Sequence, residues 1–230
     1  MNPRTTADRL ADELGTRRRE QPVGNALLSL FARGDLTREH LRRLIGTDAR
    51  CRRTELVAFA TLAARFPHRP AADLYLTMAR LVYDAGPGLA ACAHAMGLGS
   101  DPDDACPPHP AQRTTHSFNG VLSWLAIQGS QAATALAIHS DLVVYLGGCA
   151  ELVSRLRSSD LDVPEEFLTH YGAEAPEDLC RSALDVVQDG LDRGDDPDEA
   201  ILAARLLEES LGDFWRSGAG SPTIGRTAGG

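Results

Sequence analysis

The chain has 230 residues, 32 acidic side chains against 23 basic ones, and a formal net charge of -9. Every basic residue is arginine, which excludes Schiff-base catalysis and P-loop nucleotide hydrolysis, since both need a lysine. The acidic balance argues against a nucleic-acid partner, because a phosphate-binding face concentrates cationic charge.

The length suits one core, and the expectation is a single all-α domain over residues 1–217 with a disordered tail at 218–230. MNPRTTADRLADEL lacks the apolar centre of a signal peptide, and no window approaches the roughly 18 apolar residues of a membrane span. A cytoplasmic protein without a membrane partner is expected. Five cysteines at irregular spacing do not suggest a disulfide framework.

Helical periodicity dominates and no alternating strand pattern is visible. A first helix is expected from about Thr6 to Arg18, then a short one in NALLSLFAR, closed by Gly34. Thr37 is the expected N-cap of a long helix reaching about Arg65, where FPHRP stops it. Leu74 to Gly97 is helical but interrupted at Gly86-Pro87, where proline breaks or kinks the ladder. GLGSDPDDACPPHPAQ reads as a loop. Helices resume at Arg113 to Ala126 and about Ala132 to Arg157, followed by the short EEFLTHYG. Two closing helices, PEDLCRSALDVVQDGLDR and PDEAILAARLLEESLGDFWRS, each open on proline followed by acids, which suits the N-terminal dipole.

Within the long third helix, Asp48 and Glu55 are seven residues apart, about two turns, so both carboxylates project from nearly one face. A bundle of seven to eight helices with inward polar groups suggests a central pocket. The Glu-x-x-His motif of ferritin-type di-iron bundles is absent. Cys92, His94, Cys106 and His109 offer four zinc-type ligands, but the two-residue step from Cys92 to His94 points them apart, and no metal is assigned.

The order of features resembles the TenA/PqqC family, the thiaminase II-like branch of the haem oxygenase-like all-α fold. GDLTREHLRRLIGTD, Gly34 to Asp48, follows that family's G-x-L-x-x-E-x-F-x-x-Y-x-x-Q-D segment, with Leu41, Leu44 and Thr47 at its two aromatic positions and its glutamine. The short HYG helix and the terminal FW match as well. The resemblance spans about residues 20–217 and implies that Asp48 is a pocket aspartate facing a substrate ring. ALAIHSDLVVYLGG aligns with the thiaminase nucleophile segment and places His139 at the cysteine position and Val143 at a tyrosine position. The family's C-terminal acid falls at Leu211, with Glu208 and Glu209 within one turn. Thiaminase hydrolysis by the family route is therefore not expected.

Three readings stay open. The first is a small-molecule enzyme of other chemistry, with Asp48, His139 and Glu209 as catalytic candidates and Asp48, Glu55, His116, Tyr145 and Asp213 as substrate-binding ones; His139 would serve as a general base near neutral pH. The second is a non-catalytic small-molecule-binding or partner protein of the same fold. The third is a haem oxygenase-like metal-dependent oxidase, whose acid-x6-His and His-x3-Asp-x2-His spacings become Asp48-x6-Glu55 and Glu209-x3-Asp213-x2-Arg216 here. Iron is implied only by that third reading, and no cofactor is otherwise expected. A homodimer or homotetramer is expected. Each residue also has a plainer role: His139 as a hydrogen-bonded core group, Glu55 as an arginine's partner, the C-terminal acids as solvated charges.

Overall fold

Side-chain caps fix where several of the helices begin. In the computed structural model, which describes residues 6–99, 113–173 and 176–220, Thr6 accepts from the Arg9 amide and opens α1 (Ala7–Glu20). Asn25 accepts from the Leu27 and Leu28 amides at 3.0 and 3.2 Å and opens α2 (Ala26–Ala32). Thr37 caps α3 (Arg38–Arg65), its own amide donating to His40 Nδ1 at 3.0 Å. α4 (Ala71–Ala95) and α5 (Arg113–Gln128) follow, and Ser130 opens α6 (Gln131–Arg157). The short α7 (Glu165–Tyr171) precedes α8 (Glu177–Arg193), which ends on Gly194 at a φ of 105°, a left-handed position that suits glycine. Asp196 then caps α9 (Pro197–Ala219). These nine helices account for the secondary structure of the described residues, with no strand among them. The expected loop before Arg113 and most of the expected tail lie outside the described residues, as do Cys106 and His109. Of the remaining zinc candidates, Cys92 is buried and His94 is exposed, on different sides of α4.

α9 is the central helix. It packs against α1, α2, α3, α5 and α6, and from Ser210 to Trp215 every residue is buried. α6 is its closest companion. Its first half, Gln131 to Ser140, is buried on all sides between α8 and α9, so it is enclosed all round rather than amphipathic. Contrary to the sequence expectation, α6 is long and apolar enough to cross a membrane by length and composition, the one such helix among the described residues.

α4 differs from the sequence reading in an instructive way. The helix continues through Pro87 without a break. Proline removes the amide that would bond the carbonyl four residues back, here that of Tyr83. Arg52 on α3 replaces it: Nη2 donates to the Tyr83 carbonyl at 3.3 Å, and Nε to the Val82 carbonyl at 3.1 Å. Gly86 makes the approach possible, since a Cβ there would collide with the Arg52 guanidinium. The α3–α4 wall is therefore stitched at the level of Asp48 and Glu55.

Candidate functional site

A cavity of about 950 Å³ opens between α3, α4, the middle of α6 and α7, near the upper end of volumes that hold small organic ligands. Asp48, Arg52 and Glu55 line it from α3, Asp141 and Tyr145 from α6, and His170 from α7. Much of the remaining wall is apolar, including Leu76, Met78, Leu81, Leu89, Leu142 and Leu146. Asp48, Glu55 and Tyr145, three residues chosen from sequence, thus meet in one place.

The α6 wall depends on a helical irregularity. Leu142–Leu146 form a single π turn inside α6, a feature frequent at functional sites. Asp141, Leu142, Tyr145 and Leu146 all reach the cavity around that turn, while His139 and Ser140, just before it, are buried. The terminal Phe214-Trp215 supports Tyr145: the Tyr145 ring stacks on Trp215 at 5.8 Å and meets Phe214 edge-on at 5.6 Å. Gly148 lets Trp215 lie close, for a Cβ there would sit 3.0 Å from its ring.

Asp48 is positioned from α7. Tyr171 Oη donates to Asp48 Oδ2 at 3.0 Å, and His170 Nε2 lies 3.7 Å from the same oxygen. His170 itself packs over Gly88, where a Cβ would come within 3.1 Å of Nδ1. The other two carboxylates are held up electrostatically. Burial and the charges of Asp141 and Asp48 push Glu55 well above the usual carboxylate range, and Arg52, turned to the α4 carbonyls, is the weakest influence on it. Burial and the Asp48 charge raise Asp141 to about 7. Three carboxyl groups sharing one wall cannot all ionise cheaply, so protons are retained near neutral pH.

The neighbouring phenols and thiols stay protonated. Burial, with the Asp48 charge next, lifts Tyr145 and Tyr171 well above the usual phenol range. Burial likewise raises Cys149 and Cys51 strongly and Cys92 to about 12. Since the thiolate is the nucleophilic form, these cysteines are poorly suited to attack. The site's chemistry is that of carboxyl groups, two phenols and an imidazole: proton transfer and the recognition of positive charge or hydrogen-bond donors.

The other sequence candidates lie elsewhere. His139 is buried on the side of α6 where Arg18 is its nearest strong charge; burial and that guanidinium lower it to about 4. Among the described residues its Nδ1 has no hydrogen-bond partner. A neutral, enclosed imidazole outside the cavity does not suit the general-base role expected of it. His116 and Glu209 are exposed on α5 and α9. Asp213 is buried away from the cavity in an arginine clasp: burial would raise it, but the Ser117 hydrogen bond and the Arg216 and Arg113 guanidinium groups hold it below the usual range. Glu208, next to the residue chosen from sequence, is fully buried and bound by Arg18, Arg205 and Ser140 at 2.9, 2.6 and 2.9 Å.

No protein-family model matches the chain, and no curated protein matches it significantly. The site therefore rests on its own geometry. Asp141, His170 and Tyr171 were not singled out from sequence. The signal for Asp141 was present: it is the sole acid between Gln131 and Ala150, in an otherwise apolar helix. His170 and Tyr171 were visible in sequence only as the short HYG helix of the resemblance, since a polar HYG at the end of a short helix looks the same whether it faces solvent or a cavity.

Proposed function

We propose that this chain is a small-molecule enzyme of the TenA/PqqC-like, haem oxygenase-like type that takes an organic cation into its acidic cavity and moves a proton on it. The observation that carries the reading is the meeting of Asp48, Glu55 and Asp141 in one cavity, where burial and mutual repulsion raise the latter two above the usual carboxylate range. Asp48, oriented by Tyr171, would hold a ligand ammonium or amino group through a charge-assisted hydrogen bond. Asp141, with its carboxyl near 7, has the proton affinity of an acid–base group working at neutral pH. Tyr145 would donate to a ligand acceptor on the opposite side. The likeness of GDLTREHLRRLIGTD to the family's pocket segment supports the same assignment of Asp48.

The test is a panel of aromatic and aliphatic amines, followed by thermal shift for binding and mass spectrometry for products. Asp48→Asn is expected to weaken binding of an active compound about 100-fold, as for the loss of a hydrogen bond to a charged group. Asp141→Asn should spare much of the binding but abolish the rate limb that titrates near pH 7. If both variants alter affinity alone and no product forms with either or with the parent, the protein is a binding module of the same fold. That second reading is favoured by one observation: among the described residues no cysteine lines the cavity, and His139 lies outside it. The residues do not suit the metal-dependent oxidase, because Glu209 is exposed and Asp213 is clasped by arginines, so neither converges with Asp48 and Glu55.

A further inference from the structure

A second cavity, of about 400 Å³, lies between α4 and α8. Pro70, Leu74, Leu81, Pro176 and Leu179 form its apolar surface, and Asp73, Asp178 and Asp185 also line it. It adjoins the main cavity, since Thr77, Leu81 and Pro176 line both. Leu81, which lines both, is an apolar side chain that remains 41% exposed. A small amine would fill only the inner part of this space. Of the three aspartates along the outer groove, Asp73 and Asp185 already have Arg69 and Arg181 as partners at 3.3 and 3.5 Å, so the groove's surface for a ligand is its apolar part.

We propose that the α4–α8 groove is a tail subsite, and that the ligand is an elongated amphiphile: a cationic head at Asp48, Glu55 and Asp141, and an uncharged aliphatic chain running past Leu81 to Leu179. The inference rests on the reading of the carboxylate wall as a cation site. It adds a specificity determinant which that reading does not require: selection by chain length.

The experiment measures binding of n-alkylamines from butylamine to decylamine, and of the matched n-alkanols, to the full chain and to Ser182→Trp. Ser182 is exposed and lines only the outer groove, so the indole fills the groove while the main cavity is untouched. The expected result is tighter binding with each added methylene, by up to about fourfold, with amines above alkanols at every length. Ser182→Trp should leave butylamine unchanged and cost octylamine and decylamine at least tenfold. Decylamine binding equally well to Ser182→Trp and parent would overturn the tail subsite and leave the cation site standing. Amines binding no better than matched alkanols would instead sink the cation reading, with the Ser182→Trp comparison in the alkanol series still deciding the groove. Absence of binding in both series would overturn both.

Discussion

Two groups of buried or half-buried acids in this molecule have opposite electrostatic fates. At the interface of α1, α6 and α9, Glu208 is enclosed and receives Arg18, Arg205 and Ser140, while Asp213 further along α9 is held by Arg216 and Arg113. At the cavity, Glu55 and Asp141 lie near each other and Asp48, and of the two lining arginines Arg52 is committed to the carbonyls of α4 and Arg80 to Asp84. The first arrangement consumes its charge in the fold. The second leaves charge for something to bind. Acidity alone therefore says little about function; what matters is whether the fold has already supplied the counter-charge.

The comparison can be pressed by substitution. Glu208→Gln leaves Arg18 and Arg205 without their carboxylate in a largely enclosed setting, with side-chain exposures of 21% and 11%. A loss of about 3–5 kcal/mol is expected, visible as a fall of roughly 10 °C in the melting midpoint; a change within about 1 °C would contradict the structural role.

Asp141→Asn should act in the other direction, and with a pH signature. A carboxyl raised from 3.8 to about 7 in the folded state contributes stability that is fully present below the unfolded value and is lost as pH rises through 7. The ligand-free parent should thus lose stability between about pH 4 and 7, and Asp141→Asn should flatten that slope. The shift sets an upper bound of about 4 kcal/mol; water in the cavity reduces it to roughly 2 kcal/mol at pH 8. Denaturant titrations at pH 5 and pH 8 check the sign.

Gly86→Ala displaces the Arg52 guanidinium and leaves the Tyr83 carbonyl without its donor. The better helix propensity of alanine offsets part of that cost, so a net loss of about 1 kcal/mol is expected, measurable by the same denaturant titrations. The smallest effect belongs to Glu209→Ala. An exposed acid with no structural task should change stability by less than about 0.5 kcal/mol, and ligand binding should be unaltered; a large loss of turnover would return Glu209 to the site.

The sequence carried the helices because their signals are local. Thr37, Pro197 and Gly194 mark their ends through backbone hydrogen bonding and torsion, which involve only neighbours in the chain. It also carried the Asp48–Glu55 face, since two turns of helix align them whatever lies opposite. What lies opposite is a matter of tertiary structure. The continuity of α4 through Pro87 needs an arginine thirty-five residues earlier, and the π turn that separates His139 from Tyr145 depends on how α6 seats among its neighbours. Glu208, Glu209 and Asp213 fall within two turns of one helix on different faces, and which face is enclosed, exposed or clasped is set by the neighbours of α9. Composition and periodicity determined the all-α class and one side of the cavity; only the packing of α6, α7 and α9 decided which acids meet without a counter-charge, because that depends on groups distant in the chain.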